Sequence, residues 1–287
     1  MAKSKNILIT GVSTGIGYDL AKIFVEKGYT VYGSVRKQSD ADRLRAEIGE
    51  AFHPLIFDVT DFAAVEKAAA WLKKEIGHEG LGALINNAGI AIGGPLMDLK
   101  VDDYRHQFEV NVFGLIKVTQ AFLPLLGADE NPPSDPGRVI QISSVAGRHG
   151  MPFMSPYSGS KHALEGITES LRKELLLFGI DVTLIEPGPI KTPIWEKGAS
   201  QAEEERFSKS IFYPALKKFQ DVFVTKAVNG ALTSEKAAKS IFKAFQAKRP
   251  KVRYVLMAGK FKNWTLPRMM PTRVVDRFIG KALGLLS

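Results

Sequence analysis

The sequence predicts an α/β fold: one doubly wound, parallel, seven-stranded sheet with helices on both faces. Three observations carry the prediction. Short β-rich runs alternate with longer stretches of helical periodicity, the order that βαβ units impose. The first run passes directly into a glycine-rich turn that opens a helix. No Pro- or Ser-rich linker, internal repeat or low-complexity tract divides the 287 residues.

The seven strands are expected at 6–10, 30–34, 53–57, 81–86, 138–143, 181–186 and 252–255. Helical patterns fill the gaps at 16–28, 39–48, 61–76, 101–126, 155–178 and 234–247. In the fifth of these, Ala163, Ile167, Leu171, Glu174 and Leu175 recur at helical spacing. The stretch 127–137 is a loop, because Pro132-Pro133 and Asp135-Pro136-Gly137 stop both neighbours. Residues 1–258 form one expected domain, and 259–287 a basic extension. The segment 191–231 breaks the rhythm with large apolar residues such as Trp195, Phe207, Phe212 and Phe219. It follows the sixth strand and so sits at the carboxyl edge of the sheet, where open α/β folds hold ligands. Two readings stand there: a lid over a substrate pocket, or an extra helix pair capping the core.

At 45% hydrophobic and 24% charged residues, the chain is neither disordered nor fibrous. Its net charge of +9 is local: residues 248–287 hold ten lysines and arginines against Asp276 alone, and the rest balances. That argues against a nucleic-acid footprint spread over the fold. The absence of cysteine excludes disulfides and thiolate chemistry. The five histidines show no ligand spacing, so no metal is expected. The apolar run after the first six residues is shorter than the about 7–15 residues of a secretory core. No run of roughly 20 apolar residues suggests a membrane span. The expectation is a cytoplasmic protein.

Chemistry enters with Thr10-Gly11-Val12-Ser13-Thr14-Gly15-Ile16-Gly17, between the first strand and the first helix. Glycines there permit the tight turn and let the backbone approach a pyrophosphate, which the helix N-terminus attracts. The second strand ends in Arg36-Lys37, with no acid before Asp40. A site for NAD(H) places a carboxylate at this point to accept from the ribose, whereas an Arg pairs a 2′-phosphate, so NADP(H) is expected. The alternative is a pair of solvated loop charges. Asp58, followed by Val59, is placed to accept from an adenine amine. Tyr157 and Lys161 lie one helical turn apart. A neighbouring ammonium favours the phenolate, which would bring the tyrosine toward acid–base work. Ser144, after the fifth strand, could hold a substrate oxygen.

In combination these pieces resemble the short-chain dehydrogenase/reductase family over roughly residues 5–255. The matching residues, in the family's order, are the glycine turn, Asp58, Asn86-Asn87-Ala88-Gly89, Asn111, Ser143-Ser144, Tyr157 with Lys161, and Pro187-Gly188-Pro189-Ile190-Lys191-Thr192. The resemblance implies a Rossmann-type fold and hydride transfer between a nicotinamide and a carbinol carbon, with Tyr157 giving or taking the hydroxyl proton. It implies that Ser144 orients the oxygen, that Lys161 binds the nicotinamide ribose, and that Asn111 holds a relay water. Ser13, Thr14 and Ile16 of the turn, with Asn87, Ala88, Gly89, Pro187, Gly188, Ile190 and Thr192, would line the cofactor. For Asn86, Asn87 and Asn111, a buried amide tying loops together is the competing reading. Among subgroups, the chain looks like retinol and 17β-hydroxysteroid dehydrogenases. That implies a bulky apolar alcohol or ketone (retinoid, steroid or long-chain ketone). Met151 and Phe153, between the Ser and Tyr motifs, and Trp195 of the aromatic-rich segment are expected to border it beside Ser144 and Tyr157. A homo-oligomer, dimer or tetramer, is expected. Members of such a fold that only bind dinucleotide typically lack the Tyr or Lys; both are present here.

The tail carries an amphipathic pattern. Val274, Val275, Phe278, Ile279, Ala282 and Leu283 fall on one side of a helical wheel, and Arg273, Arg277 and Lys281 on the other. Such a helix packs on the body or a second subunit, or lies on an anionic membrane surface.

Overall fold

A computed structural model describes residues 4–130, 135–192, 205–221 and 230–286. Seven parallel strands form the sheet: β1 Asn6–Ile9, β2 Thr30–Val35, β3 Phe52–Ile56, β4 Ala83–Asn86, β5 Arg138–Ile142, β6 Asp181–Pro187 and β9 Arg253–Leu256. Their order is 3-2-1-4-5-6-9. β1 pairs with both β2 and β4, as Ile7 opposite Val31 and Ala83 shows. The chain reverses its direction of winding at β1, and the space beyond the carboxyl ends of β1 and β4 is the ligand crevice of such a sheet. The central strands are buried along their whole length, as a sheet covered on both faces requires. A further parallel pair, β7 Ile190–Lys191 and β8 Leu232–Thr233, was not foreseen from sequence.

The helices are α1 Gly15–Glu26, α2 Gln38–Ile48, α3 Phe62–Ile76, α4 Val101–Phe108, α5 Leu115–Phe122, α6 Ser155–Glu174, α7 Tyr213–Phe219, α8 Ser234–Gln246 and α9 Thr272–Leu283. On one face of the sheet α1 packs on α8, where Phe24, fully buried, meets Phe242 and Phe245 edge-on at centroid distances of 5.0 and 5.1 Å. Burying each such ring contributes about 1.5–3 kcal/mol. The other face is closed by α3 and α5, with Leu72, Val118 and Phe122 on Leu84 and Val139.

The helical path expected over 101–126 is interrupted. Glu109–Gly114 winds as a π-helix between α4 and α5, and a tight turn, Leu123–Leu126, closes it. Such π turns recur where a helix must present a residue at a functional site; here the turn carries Asn111. By length and composition Val101–Leu126 does reach membrane-spanning character, but half of that window is buried inside the fold.

Residues 205–221 dock against the loop after β4. Phe207 is buried where a Cβ on Gly94 would approach its ring to 2.5 Å. Arg206 pairs with Asp103, and the Ser210 hydroxyl donates to Asp98 at 2.5 Å. The Arg206 guanidinium holds the Asp103 carboxyl below its ordinary range. The tail also packs on the body. Leu283 (1% exposed) and Ile279 of α9 join Ala215 and Phe219 of α7 and Met151, Phe153 and Met154. Trp264 is buried edge-on against His149 at 5.7 Å, with Arg268 over its ring.

Candidate active site

The glycine turn is locked from below by side chains. Gly11 has φ +69°, and a Cβ there would sit 2.8 Å from Ala88 Cα. Its N–H donates to Ser34 Oγ at 3.0 Å. Asn87 Nδ2 donates to the carbonyls of Thr10 and Gly11, both at 2.9 Å, while Thr10 Oγ1 accepts from the N–H groups of Asn87 and Ala88. A Cβ at Gly17 would meet Gly11 O at 2.3 Å and Asn87 Nδ2 at 2.5 Å. Asn87 and Ala88 are therefore parts of the turn's frame. Thr14 begins α1 without a side-chain cap, which leaves the first-turn N–H groups for another acceptor. Across from the turn, Thr192 is the nearest neighbour of Gly15, 3.1 Å from where its Cβ would be. Arg43, which the sequence reading passed over, donates to Ser13 O at 2.8 Å while paired with Asp40 and Glu47.

At the end of β2, Arg36 is exposed and lies 3.8 Å from Asp58. Asp58 Oδ1 accepts from the N–H and hydroxyl of Thr60, at 2.9 and 2.8 Å. Lys37 precedes α2 without a side-chain capping bond and is exposed. Val59 packs against Gly114 of the π turn. Arg36 and Asp58 thus meet at one end of the crevice.

The second cluster lies at the carboxyl end of β5. Ser144 follows that strand, its Oγ accepting from Ala146 N–H at 3.1 Å and donating to Pro187 O at 3.4 Å. Tyr157 and Lys161 are both buried on α6. Lys161 Nζ donates to Ile142 O at 2.8 Å and lies 5.8 Å from the Tyr157 ring centroid. Burial lowers the Lys161 pKa to about 8, against the opposing pull of Glu165. Burial raises that of Tyr157, opposed by the Ser144 hydroxyl. From sequence spacing alone, the ammonium is expected to draw the phenol pKa down. In the folded protein desolvation outweighs it, because the amine is itself buried and turned to a strand carbonyl.

Asn111 is tied down through both ends of its amide. Its Oδ1 accepts from Ile90 N–H at 2.9 Å, and its Nδ2 donates to Ile90 O at 3.0 Å and to Ser160 Oγ at 3.2 Å. Ser160 passes this on by donating to Tyr157 O at 2.8 Å. Gln107, fully buried, grips the same loop through Ile92 N–H and Ile90 O. By sequence Ser160 is a small packing or capping residue beside Tyr157, and Gln107 is one polar residue on a helical pattern that sequence reasoning missed. Gly89 sits against both Asn111 Oδ1 and Lys161 Nζ. Asn86 donates to Thr119 Oγ1 at 2.8 Å, a buried tie between β4 and α5. Behind Lys161, Arg253 of β9 binds Glu165 and reaches Glu186 at 2.8 Å and Glu169 at 2.5 Å.

Of the expected substrate contacts, Met151 and Phe153 lie in the apolar cluster with α7 and α9. Phe153 holds a left-handed φ of +62°, its carbonyl accepting from Gly94 N–H at 2.7 Å. Trp195 lies outside the described residues. Pro187 ends β6, and Gly188, Ile190 and Thr192 follow it along the same edge. Burial, then the nearby Arg268, lowers the His149 pKa. Among the described residues no group of three His, Asp or Glu could hold a metal.

Known proteins resemble this chain in sequence and fold. A family model for short chain dehydrogenase matches residues 5–203. An NADPH-dependent 3-dehydrocapnine reductase of Ornithobacterium rhinotracheale is 41% identical over 280 residues, 98% of each chain. Retinol dehydrogenase 5 of Mus musculus is 32% identical over 280 residues, covering 94% of this chain and 86% of the relative. The solved structure of a short-chain dehydrogenase from Streptomyces avermitilis superposes with a TM-score of 0.75 at 28% identity, over 98% of this chain and 96% of that one. The glycine turn, the parallel sheet and the full-length matches together make this chain a member of the short-chain dehydrogenase/reductase family of oxidoreductases.

Proposed function

We propose that the protein is an NADP(H)-dependent oxidoreductase that interconverts a carbonyl and an alcohol on a bulky apolar substrate through Ser144, Tyr157 and Lys161. The observation that carries this reading is the convergence of those three side chains at the carboxyl end of β5, next to the framed glycine turn. The residues present fit a dinucleotide phosphate. The uncapped start of α1 and the Cβ-free corner at Gly15 face the pyrophosphate position. Arg36 is exposed and free to turn from Asp58 toward a 2′-phosphate, and β2 ends without a competing acid. The relative's NADPH dependence supports the same choice.

When bound, the nicotinamide supplies the hydride. Tyr157, kept protonated by burial, donates its phenolic proton to the substrate oxygen in the reductive direction. The Ser144 hydroxyl holds that oxygen and stabilises charge developing on it. Lys161, ionised at neutral pH with a pKa of about 8, returns the proton to the phenolate side of the site. The second lone pair of Asn111 Oδ1 is the anchor for a relay water. Met151, Phe153 and Met154, closed over by Ala215, Phe219 and Leu283, form the wall for an apolar substrate. Leu176 and Leu177, 71% and 81% exposed beyond α6, support self-association as a homo-oligomer.

A panel of retinoid, steroid and long-chain ketones followed by NADPH absorbance tests the reading. Turnover with such ketones, lost in Tyr157→Phe, supports it; turnover confined to small sugars, or no turnover with retained cofactor binding, overturns it. A higher kcat/KM for NADH than for NADPH overturns the cofactor assignment.

A further inference from the structure

We infer that the outer face of the C-terminal segment, residues 259–286, is a docking surface for an anionic phospholipid bilayer. The helix α9 has a wider apolar arc than its packing uses. Leu283 and Ile279 turn inward onto Ala215 and Phe219. Val274 and Phe278, one turn apart, stay outside, and Phe278 is 69% exposed. Arg273, Arg277 and Lys281 are also exposed and form the row beside them. The approach to the helix repeats this composition: Phe261 and Met269 are 70% and 75% exposed, next to exposed Lys260 and Arg268.

Large apolar side chains interleaved with bases, on an element already anchored by its opposite face, match a surface in which the rings enter the acyl boundary and the bases meet phosphate. Charge selects this occupant over a second copy of the chain. The segment holds six bases and one acid, Asp276. A two-fold interface through it would set bases against bases, with only Asp276 to compensate. A lipid surface of negative charge complements it, and the remainder of the chain adds no net charge outside 248–287. The inner side of the same helix belongs to the apolar cluster with Met151 and Phe153, so docking brings that cluster to the layer where lipid-dissolved molecules concentrate.

The test is flotation of the full-length protein with vesicles of phosphatidylcholine alone and of phosphatidylcholine with about one-third phosphatidylglycerol. The wild type is expected to float with the anionic vesicles only, and to be released by salt. Phe278→Glu with Met269→Glu, and Arg273→Glu with Arg277→Glu, are each expected to lower partitioning ten-fold or more. Both alter exposed residues, and an unchanged melting midpoint verifies the fold. Sedimentation equilibrium without lipid is run in parallel and is expected to show the same oligomer for all three proteins. Failure of the wild type to bind anionic vesicles, equal binding to both vesicles, variants that float like wild type, or variants that change only the oligomer would each overturn the inference. None of these outcomes depends on the substrate assignment.

Discussion

Replacing Lys161 by Met should remove activity and yet relieve the folded protein of a burden that depends on pH. The amine is buried and its pKa is lowered from 10.5 to about 8. Between these values the unfolded chain binds one more proton than the folded one, so this group makes stability rise with pH across that window. Below pH 8 both states are protonated, and the penalty on the folded state is complete. At about 1.4 kcal/mol per pKa unit it amounts to about 3 kcal/mol at pH 7, about 2 at pH 9 and about 1 at pH 10. Lys161→Met also orphans the carbonyl of Ile142, which costs about 1–3 kcal/mol at every pH. Glu165 keeps Arg253 as its partner, so the substitution leaves no unpaired buried carboxylate. The variant is therefore expected to be as stable as wild type or up to about 2 kcal/mol more stable at pH 7. Its advantage should shrink by about 2 kcal/mol by pH 10. Urea unfolding of both proteins at pH 7, 9 and 10 measures the difference, and contributions from groups the substitution leaves untouched cancel in it. A difference constant to about 0.5 kcal/mol over that range would refute a desolvated ammonium at this position.

Tyr157→Phe should lower kcat for carbonyl reduction by a factor of about 100 or more, with KM for NADPH little changed, as steady-state kinetics will show. Arg36→Ala should raise KM for NADPH about ten-fold and leave that for NADH nearly unaltered; equal effects on both would make Arg36 a loop charge. Gly17→Ala places a Cβ 2.3 Å from Gly11 O and pushes on the Asn87 amide, so dinucleotide affinity in a fluorescence titration should fall by at least ten-fold. Gly94→Ala, where a Cβ would stand 2.5 Å from the Phe207 ring, should displace the 205–221 segment; KM for a bulky ketone is expected to rise while KM for NADPH holds.

Much of the fold is legible because buried parallel strands are continuous apolar runs, which leaves little freedom in their placement. Each of the seven strands lies within two residues of its expected bounds. The π turn at 109–114 was not legible, since its sequence keeps a helical pattern and its shape follows from Asn111 and Gln107 gripping residues 90–92. The roles of the Ser34 and Thr10 hydroxyls, the latter at the head of the glycine motif, were hidden for a similar reason. A small hydroxyl at a strand end acquires meaning only when another strand's loop supplies its donors.

Alone, then, the sequence determined the order of elements, the glycine turn, the candidate Ser144, Tyr157 and Lys161, and the basic character of the tail. These are local properties of periodicity, spacing and composition. Tertiary structure decided the properties that depend on groups far apart in the chain. Burial raises the Tyr157 pKa where a neighbour-only argument had lowered it, because desolvation is set by everything packed around the phenol. Likewise the sequence left open which residues of the amphipathic tail turn inward, and the fold decides it: Leu283 and Ile279 pack on the body, while Phe278 and its flanking bases face outward.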